Sequence, residues 1–126
     1  MEKKIVLAID DNVQQLMEYK VFLVPQYDLR VVKAASEALN FLNSNRVDVI
    51  LLDIEMPNIS GFTFLEDIRK IPSYMYVPII IVSGNTGADF LHQAKNSTAN
   101  DVLSKPVNQE MLVTAIEKTL AKGNWA

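Results

Sequence analysis

Residues 47–57 read VDVILLDIEMP: an apolar run that closes on an ionisable side chain, Asp53. The run is short, rich in Val, Ile and Leu, and lacks strict apolar–polar alternation, the pattern of a strand covered on both faces. Comparable runs stand at 5–9, 29–32 and 77–82, with a shorter one at 102–103. Between them lie stretches with helical spacing and recognisable starts. Asn12 precedes Val13, Leu16, Met17, Val21 and Leu23; Ser36 precedes Leu39, Phe41 and Leu42; Ser60 precedes Phe64, Leu65 and Ile68. Thr86 opens a weaker pattern through Phe90, Leu91 and Ala94, and Asn108 opens one through Leu112, Ala115, Ile116, Thr119 and Leu120. Strand then helix, five times over, predicts an α/β fold with a parallel sheet covered on both sides.

Composition agrees with one folded unit. With 126 residues the chain can bury roughly two thirds of the surface its unfolded form exposes. Hydrophobic residues at 49% and charged residues at 21% are far from the signature of disorder. Proline falls at element ends, and no repeat or internal linker is visible, so residues 1–122 are expected to form one domain and 123–126 a tail. Trp125 belongs to that tail. The net charge is -3 and the basic residues are scattered, so direct binding to nucleic acid is not expected. The absence of cysteine excludes disulfides and thiolate metal sites and fits a reducing compartment. No apolar run reaches the length of a membrane span, and the start MEKKIVLAIDD turns acidic too soon for a signal peptide. A cytoplasmic protein without membrane contact is expected.

In an open α/β sheet, ligands bind at the carboxyl ends of the strands. Those ends carry Asp10 and Asp11, then Asp53, then Ser83 and Gly84, then Ser104 and Lys105. Three carboxylates at one rim repel one another, and one takes up a proton unless a cation neutralises them. An oxygen-only donor set suits Mg²⁺, which commonly uses one or two carboxylates together with a phosphate oxygen. Lys105 adds a positive charge, Ser83 a hydroxyl donor, and Gly84 leaves room for a substituent on Asp53. Phosphoryl transfer depends mostly on positioning and charge neutralisation, so Asp53 is the candidate nucleophile of an aspartyl phosphate. Blander roles remain for each residue: Asp10 or Asp11 as a helix cap, Ser83 with Asn85 and Thr86 as turn chemistry, Lys105 as a surface lysine. His92, alone in mid-helix, and the core-spaced Met17, Phe22, Phe41, Phe64 and Phe90 call for no cofactor.

These motifs resemble the response-regulator receiver domain of two-component signalling from Lys4 to about Lys122. The acidic pair of that family matches Asp10 and Asp11. Its phosphoacceptor region matches Asp53, Met56, Pro57 and Gly61, its Ser/Thr with a small neighbour matches Ser83 and Gly84, and its Lys-Pro matches Lys105 and Pro106. The resemblance implies a flavodoxin-like, doubly wound five-stranded parallel sheet in the order 2-1-3-4-5, flanked by five helices, as in the chemotaxis regulator. It implies Mg²⁺ bound directly by Asp11 and Asp53, with Asp10 acting through water and the Glu55 backbone carbonyl as a further ligand. Lys105 and Ser83 then hold phosphoryl oxygens. The donor is a phosphohistidine on a sensor histidine kinase or a histidine phosphotransfer protein, and phosphorylation switches contacts with an output domain or partner. Such a module is not an enzyme in its own right, although it assists its own phosphorylation and dephosphorylation. The Lys105–Pro106 bond is expected to be cis, as is common in the family. Glu55, two residues beyond Asp53, is a candidate to face the site and affect attack of water on the phosphate.

Two positions depart from the pattern. Val102 stands where the family often has the Tyr or Phe that swings inward on activation, and Ser60 where it often has Asp. The chemistry is untouched, but an allosteric response without an aromatic rotor is expected to be weaker or to run through the helix between Thr86 and Asn96. Two alternatives stand beside the switch. One is a pseudo-receiver that acts as an unphosphorylated scaffold. The other is a small phosphohydrolase of the haloacid-dehalogenase type, which places a second Asp where this chain has Glu55 and carries a cap domain for which there is no room.

Overall fold

Each apolar run becomes a strand and each helical pattern a helix. The structure, a computed structural model, describes residues 2–56 and 60–122; Pro57, and Trp125 with the predicted tail 123–126, lie outside them. Chain order is β1 (Ile5–Ile9), α1 (Val13–Leu23), β2 (Asp28–Val32), α2 (Ala35–Ser44), β3 (Val49–Leu52), α3 (Gly61–Arg69), β4 (Ile79–Ser83), α4 (Ala88–Lys95), β5 (Asp101–Ser104) and α5 (Gln109–Lys122). A single 3-10 turn, Pro72–Tyr74, interrupts the connection to β4 and was not legible in the pattern. All strand pairs are parallel, and the order β2-β1-β3-β4-β5 is the one expected.

Alternate residues of the central strands feed two cores. Leu7, Ile9, Ile50, Leu52, Ile79 and Ile81 face α2, α3 and α4, where Leu42, Phe64, Leu65 and Ile68 close the layer. Val6, Ala8, Val49, Leu51, Ile80 and Val82 face α1 and α5, meeting Leu16, Tyr19, Leu23, Leu112 and Ile116. Both faces are therefore dry, which is why β3 and β4 read as continuous apolar runs. None of the described helices is long and apolar enough to cross a membrane.

Caps set the helix starts, and two differ from expectation. The side chains of Asn12, Ser60 and Asn108 accept from Gln15 N, Thr63 N and Met111 N, as anticipated. Helix α2, however, starts after Ala34, and Ser36 lies inside it; Glu37 reaches back to Lys33 N instead. Helix α4 starts after Gly87, one residue beyond Thr86, where the Asn85 side chain accepts from Gly87 N. The expectation that Met17 packs in the core is also corrected. It is 60% exposed, with Val13 and Val21 beside it, because α1 turns Leu16, Tyr19 and Leu23 to the sheet instead. Phe22 and Phe41 are only half-buried, whereas Phe64 and Phe90 are buried as expected.

Candidate functional site

The sheet register brings the polar strand ends together. Ile9 pairs with Leu52, so Asp10 and Asp53 emerge side by side, and Ser83 pairs with Ser104, so Lys105 follows at the neighbouring strand end. Asp53 N donates to Ile9 O at 3.0 Å, and Lys105 N to Ser83 O at 2.8 Å, which carries the pairing one step past each strand. Asp10 is fully buried and Asp53 is 5% exposed. Asp11 is exposed at the mouth. One carboxylate oxygen from each of the three lies within 4.8 Å of the others.

Every oxygen of the two buried carboxylates has an assigned neighbour. Asp10 Oδ1 accepts from Asn12 N at 2.9 Å and Oδ2 from Lys105 Nζ at 3.0 Å. Asp53 Oδ1 accepts from Glu55 N at 3.1 Å, and Oδ2 lies 3.8 Å from Lys105 Nζ. The ammonium thus bridges two carboxylates, charge-assisted and partly sheltered from water. The Lys105–Pro106 peptide is cis, as expected. One cation does not balance three carboxylates. Burial pushes the Asp53 carboxyl from 3.8 up to about 6, with Asp10 and then Asp11 adding to the rise, while the Glu55 N–H and Lys105 hold it down. An all-oxygen, acid-rich, partly desolvated set of this kind is fitted to a hard divalent cation.

Ser83 is buried at the end of β4, but its hydroxyl is already engaged. It donates to Glu55 Oε1 at 3.1 Å and accepts from Asn85 N at 3.1 Å. Of the predicted residues, Asp10, Asp11, Asp53 and Lys105 converge directly, and Ser83 joins them through Glu55. The Asn85 N–H donating to Ser83 Oγ is the turn chemistry that the sequence offered beside a phosphoryl role for this serine. Gly84 opens onto space, since a Cβ there would meet nothing within 4 Å. Gly61 is the tight one: a Cβ would sit 2.4 Å from Ile54 Cα, in the loop that carries Asp53. Val102 packs half-buried against the α2–α4 core, and the aromatic contact nearest in kind is Phe62 with Phe90, at a centroid distance of 5.8 Å.

Residues 6–117 match the sequence signature of the family described as Response regulator receiver domain. This chain belongs to that family. The receiver is 32% identical over 114 residues to the CAI-1 autoinducer sensor kinase/phosphatase CqsS of Vibrio cholerae, covering 88% of this chain and 16% of that protein. It is 36% identical over 106 residues to a protein-glutamate methylesterase/protein-glutamine glutaminase of Rhodopseudomonas palustris, covering 80% of this chain and 28% of that one. The chain therefore spans well under a third of those relatives. Among solved structures, the chemotaxis response regulator CheY4 of Vibrio cholerae superposes with a TM-score of 0.85 at 28% identity, covering 93% of this chain and 98% of that one. Receiver domains are signalling modules of two-component systems. As a family they are phosphorylated on aspartate by histidine kinases and bind Mg²⁺ at a cluster of Asp residues.

Proposed function

We propose that Asp53 is the phosphoacceptor of this receiver, with Asp11, Asp53 and the Glu55 backbone carbonyl as direct Mg²⁺ ligands, Asp10 acting on the ion through water, and Lys105 and Ser83 as the phosphoryl-oxygen contacts. The observation that carries this reading is the convergence of three carboxylate oxygens within 4.8 Å, with Lys105 Nζ reaching both Asp10 and Asp53. An Asp53 carboxylate oxygen attacks the phosphorus of a phosphohistidine; the P–O bond forms as the P–N bond breaks, and the imidazole leaves with the N–P electron pair and takes up a proton. Asp53 Oδ1 is tied to Glu55 N, so Oδ2, the oxygen nearer Lys105, is the attacking atom. Lys105 shifts from Asp10 toward the incoming oxygens and offsets their charge. Bound Mg²⁺ would neutralise the acidic cluster and keep Asp53 ionised at neutral pH.

The donor is a sensor histidine kinase or a histidine phosphotransfer protein, and the readout is an output domain or partner protein in the cytoplasm. Residues 1–122 form the receiver domain and 123–126 a tail. The chain assists its own phosphorylation and dephosphorylation without acting as a free-standing enzyme.

Incubation with Mg²⁺ and acetyl phosphate followed by intact mass tests this. One phosphoryl group is expected per chain, lost in Asp53→Asn and dependent on Mg²⁺. No added mass would favour the scaffold alternative, and steady turnover of a phosphate monoester would favour the phosphohydrolase.

A further inference from the structure

One hydrogen bond at the site opposes the chemistry proposed for it. A serine hydroxyl has a single proton to donate, and that of Ser83 goes to Glu55 Oε1, while its lone pairs already accept from Asn85 N. A phosphoryl oxygen on Asp53 needs the same proton. Ser83 is fully buried and has no other side-chain acceptor among the described residues. Glu55, by contrast, is exposed, so its carboxylate has water to return to.

We infer that Glu55 is a positioning residue that holds Ser83 in a resting arrangement. Its carboxylate occupies the Ser83 donor, and a phosphoryl group on Asp53 gains that donor only by displacing Glu55 into solvent. Two forces drive the exchange. An acyl phosphate carries more negative charge than a carboxylate and accepts the stronger hydrogen bond. The same charge repels Glu55, which follows Asp53 by two residues and is tethered to it through Glu55 N. The exchange thus couples the loop after β3 to the loop after β4. In a chain with Val102 at the usual aromatic position, this pair of mutually exclusive hydrogen bonds is a two-state element beside the reacting group. The inference rests on the phosphoacceptor reading for the identity of the displacing group, whereas the resting bond does not.

The alternative is that Glu55 acts only as a fourth negative charge, and a double-mutant cycle separates the two. Binding of beryllofluoride in Mg²⁺ is measured by calorimetry for the wild type, Glu55→Ala, Glu55→Gln, Ser83→Ala and the Glu55→Ala/Ser83→Ala pair. Release of one hydrogen bond to a charged acceptor predicts tightening on the order of tenfold in Glu55→Ala. Glu55→Gln, which keeps an acceptor oxygen, lies between it and the wild type. In the Ser83→Ala background, Glu55→Ala changes affinity by less than about twofold. Equal tightening in both backgrounds, or none in either, overturns the proposal. A second measurement needs no ligand: in metal-free protein, the amide resonances of Ser83, Gly84 and Asn85 shift in Glu55→Ala and move back toward wild type in Glu55→Gln. Unmoved resonances overturn the resting bond. Failure of the wild type to bind beryllofluoride overturns the phosphoacceptor reading instead, and is told apart because the resonance shifts are still seen.

Discussion

The carboxyl of Asp53 loses most of its water when the strands close around it, and burial, ahead of Asp10 and Asp11, lifts it from 3.8 to about 6. A carboxyl whose folded pKa lies above its unfolded one favours folding while it holds its proton. Below about pH 4 both states are protonated and nothing is lost. Between about 4 and 6 the unfolded chain releases the proton first, stability falls, and above 6 the loss is constant at roughly 1–3 kcal/mol once residual solvent screening is allowed for. Asp53→Asn removes that loss. Urea unfolding in the presence of a chelator is therefore expected to show the variant more stable than wild type at pH 7.5, with the gap closing near pH 4. Gly61 makes a different residue-scale case. Alanine there would gain up to about 1 kcal/mol in helix propensity, but its Cβ meets Ile54 Cα, O and C at 2.4, 2.5 and 2.8 Å, all backbone atoms that cannot swing aside. The clash wins. Gly61→Ala is expected to cost about 2 kcal/mol or more in a denaturant titration and to slow Asp53 phosphorylation through the displaced loop.

Among the elements, the strands were legible because doubly covered strands carry their burial in composition alone. Helix α1 was only half legible. Its apolar residues form two stripes, and the sequence pattern merges Leu16 and Leu23, which meet the sheet together with Tyr19, with Val13, Met17 and Val21, which meet none of the described core. Which stripe is covered depends on the angle at which the helix docks, and that is not local information. The same holds for the site. Asp10, Asp11, Asp53 and Lys105 could be read because each stands within two residues of a strand's end, whereas the Ser83–Glu55 bond spans 28 residues and depends on side-chain reach. Arg69 was missed for that reason. At the end of α3 its guanidinium donates to Val77 O at 2.5 Å, Thr98 O at 2.8 Å, Tyr74 O at 3.3 Å and Asn100 Oδ1 at 3.1 Å, stapling the entry to β4 and the entry to β5 onto one helix. Nothing in a one-dimensional pattern distinguishes it from a solvated arginine. Arg69→Met leaves these oxygens without their donor and is expected to cost about 2–4 kcal/mol. Arg69→Lys should recover less than half of that, because an ammonium cannot span the fork. Hydrogen exchange at Ile79 N, which donates to the same Asn100 side chain, would report the local loosening.

At the scale of the molecule, two dry cores share one sheet, and the acidic rim is the place where that sheet is electrostatically unfinished. The central strands deliver Asp10 and Asp53 into low-dielectric surroundings with Lys105 as the ammonium bridging them, so the folded chain carries a local charge cost that the unfolded chain does not. A divalent cation that binds only the folded arrangement converts that cost into linkage. At about a hundredfold its dissociation constant it adds about 2.7 kcal/mol to the unfolding free energy, several degrees in Tm for a chain of this size. Mg²⁺ is therefore expected to raise the Tm of the wild type well above that of the chelated protein. Two controls locate the effect at the rim and separate it from general ionic strength. In Asp53→Asn, which starts more stable but offers one carboxylate fewer, the Mg²⁺ increment should shrink to a small fraction of the wild-type value. In the wild type the increment should also fall as pH drops through about 6, because the proton and the metal compete for Asp53. An equal Tm rise in wild type and Asp53→Asn, or one matched by NaCl at the same ionic strength, would place the ion elsewhere on this acidic chain and remove the rim as its site.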